Sequence, residues 1–327
     1  MKAVLINETG SSEKLTFSET TMPNLSEHQV LVKVAAAPVN FIDTIIRKGE
    51  MPPGMMPELP FIFGVEGSGV VADANNSQFK KGQKVAYLGP IGASMYAEYT
   101  AVDANKLIAL PDSIDLLEAG SIPVTYFTAY HMLHNVVRAR AGDTALIYAS
   151  TGGVGTALIQ LAKAAGLTVI ALDRKNEKVE QARKLGADHA FNSTQPWEDE
   201  VKAITGNRGV NYIFNPVAGD TITQDLNVLA PLGHIVIFGF LGGAGQTNLQ
   251  AEAIKHFSKA PTITYSEIYA TYFTDFELVK SSLETLYALL EAGKIKPIYT
   301  TLPLSEAAHG HDLIESGRLM GKLVLIP

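Results

Sequence analysis

The sequence predicts an α/β protein with two domains, one a barrel or sandwich of short strands and the other a doubly wound parallel sheet. The chain has 327 residues, more than the roughly 250 to 300 at which a single hydrophobic core stops growing. Up to about residue 118, short β-like runs alternate with turn residues, whereas helices and strands alternate from about residue 119 onward. The second pattern is typical of a parallel sheet covered by helices.

The composition is that of an ordinary globular protein. Hydrophobic residues make up 46% of the chain and charged residues 18%, which leaves ample apolar surface for burial. The formal net charge is −7 and the Lys and Arg residues are scattered, so we expect no nucleic-acid partner. The chain has no cysteine, which excludes disulfides and thiolate nucleophiles and removes the commonest ligands of structural zinc.

Two apolar stretches of the sequence raise the question of a targeting or membrane segment. The apolar run from Lys2 to Ile6 is shorter than the roughly 7 to 15 residues of a secretory signal core, so we expect a cytoplasmic protein. The uncharged stretch from Thr144 to Ala162 is interrupted by the polar and glycine residues of Ser150 to Gly155. A strand, a turn and a helix explain it better than a membrane span.

The first domain is predicted from five β-like runs and from the C-terminal tail. The five runs are Lys2 to Ile6, Gln29 to Ala35, Gly67 to Ala72, Gln83 to Leu88 and Met95 to Val102. The C-terminal tail has two further β-like runs, Tyr299 to Leu302 and Lys322 to Ile326. We therefore expect residues 1–120 and 265–327 to form one domain and residues 121–264 the other.

The second domain begins with a buried strand from Thr144 to Tyr148, followed by a glycine turn and an amphipathic helix that Gly166 ends. Further strands are expected at Leu167 to Leu172, His189 to Asn192, Asn211 to Phe214 and His234 to Phe238. The loops at the carboxyl ends of such strands form the ligand crevice of open α/β sheets.

A long helix is predicted to connect back to the first domain. Thr274 and Glu277 have the spacing of a capping box and precede an apolar helical pattern that runs to Gly293.

The glycine turn carries the chemistry. A dinucleotide fold needs a strand, a tight glycine turn, a helix N-terminus that points at the pyrophosphate, and a residue near the next strand end that reads the ribose. All four elements occur in order, with Ser150, Gly152 and Gly155 as the fingerprint positions. Because Ser150 replaces the usual first glycine, the strand and helix around the turn support the prediction more than the motif alone does.

The end of the second strand points to two different cofactors. Asp173 could accept hydrogen bonds from the ribose hydroxyls of NAD, whereas Arg174, Lys175 and Lys178 could neutralise the 2′-phosphate of NADP. Lys175 and Lys178 could equally well solvate a helix face. From these residues alone the two cofactors remain balanced.

Several segments together resemble the medium-chain dehydrogenase/reductase superfamily, and within it the zinc-free quinone oxidoreductase branch, also called the zeta-crystallin-like group. The resemblance extends over essentially the whole chain. It is carried by Pro38 to Asp43, Phe63 to Val71, Thr128 to Tyr130, Ser150 to Gly155, and Leu185 to Asp188.

The resemblance implies a GroES-like β-barrel domain formed by both chain ends, a Rossmann domain in the middle, and an active site in the cleft between them. In zinc-dependent relatives a Cys and a His hold the cleft metal, and those places correspond to Asn40 and Val65 here. The histidine pairs of the chain lack a carboxylate-supported third ligand. We therefore expect no bound metal.

The resemblance also implies roles for individual residues. Asn40 would face the nicotinamide and the substrate, and Asp43 would orient Asn40 or relay a proton, although Asp43 could equally be a helix-capping carboxylate. The expected cofactor-binding residues are Thr128 for the carboxamide, Ser150, Gly152, Gly153, Val154 and Gly155 for the pyrophosphate, and Phe238 and Gly239 beside the nicotinamide.

For the adenosine end, NADPH binders of this family use a Lys on the helix after the second strand and often a Tyr after the third. These places correspond to Lys178 and Ser193, so the Lys is kept and the Tyr is absent. A carboxylate at Asp173 would repel a 2′-phosphate. We expect NADP as the cofactor, with NAD as the alternative.

Without a Lewis acid to polarise an alcohol, the expected reaction is hydride transfer from the reduced cofactor to an electrophilic acceptor, a quinone or an α,β-unsaturated carbonyl. The alternatives are a zinc-free alcohol or carbonyl dehydrogenase and a non-catalytic cofactor-binding protein. A small hydrophobic carbonyl or quinone is the expected substrate. The resemblance also implies a homodimer, because zinc-free members of the family commonly pair, and we expect it to form through strands near His234 to Phe238 and Thr262 to Tyr269.

Overall fold

A computed structural model of the chain describes residues 1–51 and 54–327. The chain divides into two compact units. The first consists of Met1–Phe127 and Asp275–Pro327, and the second of Thr128–Thr274. Each unit has its own buried apolar cluster.

The strands are numbered in chain order. They are β1 Lys2–Ile6, β2 Leu15–Glu19, β3 Gln29–Val39, β4 Phe61–Ile62, β5 Glu66–Asp73, β6 Lys84–Leu88, β7 Tyr99–Asp103, β8 Leu107–Ala109, β9 Thr144–Tyr148, β10 Thr168–Asp173, β11 His189–Asn192, β12 Val210–Asn215, β13 Leu229–Ile237, β14 Thr262–Tyr265, β15 Tyr299–Pro303 and β16 Lys322–Ile326.

The α-helices are numbered in the same way. They are α1 Phe41–Lys48, α2 Leu116–Gly120, α3 Thr125–Tyr130, α4 Gly153–Ala164, α5 Asn176–Lys184, α6 Glu198–Ile204, α7 Ile222–Val228, α8 Leu249–Lys255, α9 Ile268–Thr274, α10 Phe276–Glu291 and α11 Ala307–Glu315. A π-helix over His131–Val136 continues α3, and short 3-10 helices lie at Ser12–Lys14, Ala104–Lys106, Gly219–Thr221, Phe257–Lys259 and Leu304–Glu306.

The first unit is built on a seven-stranded sheet and a three-stranded sheet. The larger sheet has the order β15-β16-β3-β5-β6-β8, with β7 also paired to β3, and the smaller has the order β2-β1-β4. In β3 the side chains of Val30, Val32 and Val34 are buried in alternation, as expected for a strand with one face on a core. The C-terminal strand β16 runs antiparallel to β3 and places Leu323 opposite Val39. Both chain ends therefore contribute to one β unit.

The second unit is a six-stranded parallel sheet with the order β11-β10-β9-β12-β13-β14. This is the doubly wound Rossmann order, in which the first strand lies beside the second and the fourth. Strand β9 is buried along its whole length, as expected for a parallel strand covered on both faces. The predicted α/β fold class is confirmed.

The predicted capping box before the long helix is wrong by one residue. Helix α10 is capped by Asp275, whose Oδ1 accepts a hydrogen bond of 3.1 Å from the amide of Leu278. The hydroxyl of Thr274 instead donates to the carbonyl of Ala270 at 2.6 Å, within the preceding helix α9. A carboxylate is a strong acceptor for the amides of a first helical turn, which explains the choice of Asp275.

Within residues 1–51 and 54–327, no helix has the length and apolar character that crossing a bilayer requires.

The first unit contains a histidine that is fully buried in its neutral form. His311 on α11 is 0% exposed, and neither of its ring nitrogens has a hydrogen-bond partner among the described residues. Its ring meets those of Phe63 and Tyr96 edge-on, at centroid distances of 5.7 and 6.1 Å. Burial, and to a smaller extent the nearby Arg47 guanidinium, lowers the pKa of His311 to about 3.

We predict that the His311→Leu variant loses part of the acid sensitivity of the fold. In the unfolded chain His311 binds a proton below its ordinary pKa near 6.5, whereas the folded chain takes it up only near pH 3. The unfolding free energy therefore rises with pH through this window. Between pH 6.5 and pH 5 the wild type should lose about 2 kcal/mol more than His311→Leu, as measured by urea unfolding.

The matched control is His309→Leu, an exposed histidine on the same helix, which should keep the wild-type slope. An equal pH dependence for His311→Leu and the wild type would contradict the buried neutral state of His311.

Candidate active site

Asn40 lies at the junction between β3 and α1, where it is the N-terminal cap residue with an extended backbone. Its amide donates a hydrogen bond of 2.8 Å to Oδ2 of Asp43, which closes the first turn of the helix. Asn40 is only 4% exposed. The position of its backbone is therefore fixed by the side chain of Asp43.

The side chain of Asn40 belongs to a buried ring of three residues. Its Nδ2 donates to Oε1 of Glu66 at 2.8 Å, Nζ of Lys322 lies 2.5 Å from the same oxygen, and Nζ also donates to Oδ1 of Asn40. An ammonium must face the amide oxygen and a carboxylate must face the amide nitrogen, so the two charges fix the orientation of the amide.

The geometry of the sheet brings this ring together. Leu323 pairs with Val39 in the antiparallel register of β16 and β3, which places Lys322 across from Asn40. Glu66 is the first residue of β5, the strand on the other side of β3. The second carboxylate oxygen of Glu66 accepts a hydrogen bond of 2.6 Å from the amide of Val124.

Asp43 is a buried carboxyl group with two donors on one oxygen. Besides the amide of Asn40, the phenol of Tyr96 donates to Oδ2 at 3.0 Å, whereas Oδ1 has no partner among the described residues. Burial raises the pKa of Asp43 to about 6, against the lowering effects of the Asn40 amide, Lys322 and Tyr96. Its charge therefore changes close to neutral pH.

Glu66, Lys322 and Tyr96 were not among the residues predicted for the site. A sequence signal existed for Glu66, which lies in the Phe63 to Val71 segment that carries the family resemblance. Lys322 opens an apolar strand, where a charged residue is unusual. No local pattern distinguishes Tyr96 from an ordinary core aromatic.

The glycine turn of the second unit has the geometry of a phosphate-binding turn. Gly152 caps the twelve-residue helix α4, and its amide donates to the carbonyl of Ala149 at 3.0 Å. A Cβ on Gly155 would lie 2.4 Å from the same carbonyl, so only glycine allows the helix to pack this close to the strand end. Gly153 and Val154 are half-buried in the first helical turn.

The first amides of a helix have no acceptor within the helix, and the helix dipole favours an anion at this end. The turn therefore fits a dinucleotide pyrophosphate, since it offers amide donors and a close approach to the backbone.

The carboxylate of Asp173 is hydrogen-bonded to residues of this turn. Its Oδ2 accepts from the amide of Thr151 at 3.1 Å, from the Thr151 hydroxyl at 2.8 Å and from the Ser150 hydroxyl at 3.4 Å. The other oxygen, Oδ1, accepts from the amide of Arg174 at 3.0 Å. The structure thus joins the predicted residues Ser150 and Asp173 directly, through a contact that was not predicted.

The two predicted basic residues differ in exposure. Arg174 is exposed, whereas Lys178, in the first turn of α5, is 8% exposed. Burial lowers the pKa of Lys178, and the Asp173 carboxylate acts in the opposite direction. The negative charge of Asp173 therefore favours the protonated form of Lys178.

The remaining predicted residues also lie in the second unit. Thr128 is half-buried on α3. Phe238 follows β13, and its amide donates to the carbonyl of Asn215 at the end of β12 at 3.1 Å. A Cβ on Gly239 would lie 2.9 Å from the carbonyl of Pro216. Phe238 and Gly239 therefore lie at the carboxyl ends of the strands, where ligands of open α/β sheets bind.

Across the described ranges, no group of three or more His, Cys, Asp or Glu residues is arranged to hold a metal ion.

The chain is similar to proteins of known family along its full length. A family model described as "Alcohol dehydrogenase GroES-like domain" matches residues 26–112, and one described as "Zinc-binding dehydrogenase" matches residues 153–281. The first model agrees with the predicted GroES-like β domain.

The similar curated proteins include a quinone oxidoreductase of Rattus norvegicus, 30% identical over 332 residues, with 100% of this chain and 98% of the relative covered. A 2-haloacrylate reductase of Burkholderia sp is 29% identical over 336 residues, covering 99% of this chain and 98% of the relative. Among solved structures, Escherichia coli quinone oxidoreductase complexed with NADPH has a TM-score of 0.91 and 28% identity, with 100% of both chains covered.

We predict that Lys322→Met destabilises the fold by about 3 kcal/mol, because it leaves the Glu66 carboxylate buried without its cation. The double variant Glu66→Gln with Lys322→Met removes both charges and should recover most of this loss. Chemical unfolding of the single and double variants measures the coupling between the two residues.

Lys163→Met is the matched control. Lys163 pairs with Asp188 at 2.7 Å, but the two side chains are 37% and 35% exposed, so its loss should cost under about 1 kcal/mol. An equal loss of unfolding free energy for Lys322→Met and Lys163→Met would show that the buried ion pair stabilises the fold no more than the exposed pair does.

Proposed function

Because the chain belongs to the zinc-free quinone oxidoreductase branch of the medium-chain dehydrogenase/reductase superfamily, we propose that it is an NADPH-dependent reductase. It transfers hydride to a quinone or an α,β-unsaturated carbonyl without a metal ion. The observation that carries the proposal is the glycine turn before α4, with its helix N-terminus and tightly packed Gly155, in a chain that matches quinone oxidoreductases from end to end.

The second unit supplies the cofactor site. The first amides of α4 hold the pyrophosphate, Thr128 holds the carboxamide, and Phe238 and Gly239 border the nicotinamide. Arg174 and Lys178 bind the 2′-phosphate, which their positive charge and their position after β10 support. The similarity to a quinone oxidoreductase solved with NADPH supports the same cofactor.

Asn40 is the residue of the first unit that contacts the acceptor. Its Oδ1 is committed to Lys322 and one hydrogen of its Nδ2 to Glu66, and the second hydrogen of Nδ2 serves as a donor to the acceptor oxygen. The bound cofactor supplies the hydride. As hydride reaches the acceptor, negative charge develops on the acceptor oxygen. A fixed hydrogen-bond donor therefore stabilises the transition state more than it stabilises the ground state.

Asp43 orients Asn40 in this proposal. Its Oδ2 is occupied by the Asn40 amide and the Tyr96 phenol, so it acts on the site through the backbone of Asn40. Reduction consumes one proton for each hydride transferred, which gives a hydroquinone from a quinone or a saturated carbonyl from an enone.

The acceptor is a small apolar molecule with a conjugated electrophilic carbon. Quinones and enones share this feature, and so do haloacrylates, the substrate class in the name of one relative. Such acceptors need no Lewis acid, because conjugation already makes the carbon electrophilic. We place the enzyme in the cytoplasm, with neither nucleic acid nor membrane among its partners.

A homodimer forms through the edge strand β14. This strand pairs only with β13 in the six-stranded sheet and leaves its other edge unpaired among the described strands. Several large apolar side chains of the second unit are exposed: Leu232, Phe240, Phe257 and Tyr265. An edge strand with apolar neighbours is a template for pairing with a second chain.

We predict that Asn40→Ala lowers kcat for quinone reduction by about 100-fold, which corresponds to the loss of one preorganised donor to the developing oxyanion. The dissociation constant for NADPH should stay within about twofold, since the residues proposed to bind the cofactor lie in the second unit. Stopped-flow NADPH oxidation with a panel of quinones and enones measures the first effect, and fluorescence titration the second.

Asn227→Ala is the control, since this amide donates to Glu198 at 3.0 Å in the second unit; it should keep wild-type turnover. The proposal fails if the wild type oxidises NADPH with none of the acceptors, or if alcohols reduce the oxidised cofactor while quinones and enones are inert.

We also predict that light scattering gives twice the mass of one chain, because apolar edge strands pair. Tyr265→Lys should shift the protein towards the monomer, since a charge on an edge strand opposes pairing. Phe273→Lys, at a site 70% exposed on α9, is the control and should leave the mass unchanged. A monomeric wild type at working concentration would be incompatible with the dimer.

A further inference from the structure

The Asp173 carboxylate is engaged inside the protein on both of its oxygens. The Thr151 hydroxyl at 2.8 Å is its shortest contact, and the Thr151 amide adds a second bond to the same oxygen, Oδ2. The other oxygen accepts from the amide of Arg174. Asp173 is 7% exposed, and Ser150 and Thr151 are each 0% exposed. The carboxylate therefore lies in a set of donors that the chain itself provides.

A carboxylate at the end of the second strand selects NAD by accepting hydrogen bonds from both ribose hydroxyls, and it repels a 2′-phosphate. Neither effect has full strength here. Three donors already compete for Oδ2, and hydrogen bonds from the turn spread the negative charge over buried dipoles. Asp173, the residue that made NAD a candidate cofactor, is thus hydrogen-bonded to the glycine turn.

The positive groups at the same strand end are placed differently. Arg174 is exposed and carries its charge into solvent next to the strand end. Lys178 is 8% exposed on the first turn of α5, where burial lowers its pKa and the carboxylates of Asp173 and Glu177 act in the opposite direction. A 2′-phosphate would meet two cations there and a carboxylate that already accepts hydrogen bonds from the chain on both of its oxygens.

The geometry points to Thr151 as a residue that determines cofactor specificity: its hydroxyl holds the Asp173 carboxylate against the glycine turn, and this selects NADPH over NADH. The inference rests on the proposed function, because it concerns the cofactor site of that reductase. Thr151 acts through Asp173 and is therefore a positioning residue.

The test is the Thr151→Val variant, which keeps the shape of the side chain and the backbone amide but removes the hydroxyl. Releasing Asp173 lets it accept from a ribose hydroxyl and brings its charge towards the 2′-phosphate. The ratio of the dissociation constants, NADH over NADPH, should fall by about tenfold. Titration calorimetry with each reduced cofactor measures this ratio without turnover, and thermal unfolding shows that the variant is folded.

Two control variants separate specificity from packing. Thr151→Ser keeps a hydroxyl and should keep the wild-type ratio. Thr156→Val removes another buried hydroxyl, which lies on helix α4 after the turn and donates to the carbonyl of Gly153 at 3.0 Å rather than to Asp173. It should also keep the wild-type ratio, even if it lowers stability.

Asp173→Ala gives a second, independent test if Thr151→Val does not fold. Because the wild-type carboxylate is held by the turn, its removal should change the NADH dissociation constant by no more than about threefold. A larger loss of NADH affinity together with a gain for NADPH would show that Asp173 reads the ribose in the wild type, which would overturn the inference.

The outcomes also distinguish this inference from the proposed function. A wild type that binds neither cofactor defeats the proposed function. A wild type that binds both and turns over quinones or enones, but whose ratio is unchanged in Thr151→Val, supports the reductase and overturns the role of Thr151. A wild type that prefers NADH also overturns it.

Discussion

The ion pair between Glu66 and Lys322 is the constraint on which the first unit depends. Both side chains are buried, at 0% and 5% exposure, and an isolated charge in that environment costs far more than a paired one. The C-terminal strand β16 must therefore lie beside β3 in one register, because a shift of one residue would turn Lys322 to the other face. Asn40 completes the ring, and its amide can face only one way.

The second unit uses a carboxylate for a comparable purpose. The carboxylate of Asp173 accepts hydrogen bonds from the amide and the hydroxyl of Thr151, in the turn between β9 and α4. In the first unit, the carboxylate of Asp43 accepts a hydrogen bond from the amide of Asn40 at the start of α1. In both units an acidic side chain fixes a loop at the end of a strand, and in the second unit this is the edge of the sheet where ligands of open α/β folds bind. The proposed functional groups are thereby held in place by the chain itself, which lowers the cost of organising them for a reaction.

The sequence predicted those features that depend on neighbouring residues. The strand, turn and helix around Gly152 and Gly155 follow a local pattern, and so do the parallel strands that come after them. The ring at Asn40 could not be predicted in this way, because Lys322 is distant in sequence and only the register of β16 brings it near. The contacts of the Asp173 carboxylate could not be predicted either. Only the folded structure shows that the hydroxyls of Ser150 and Thr151 lie close enough to donate to it in place of a ribose. The choice of Asp275 over Thr274 as a helix cap depended on where one helix ended and the next began.

In the proposed reaction an amide held by a buried ion pair, rather than a metal ion, supports hydride transfer to a conjugated acceptor. This role is tested by measuring bound metal by mass spectrometry and NADPH-dependent quinone or enone reduction on the same sample, before and after treatment with a strong chelator. We expect far less than one metal atom per chain and unchanged turnover after chelation. Turnover that falls with chelation and returns in proportion to added zinc would contradict it.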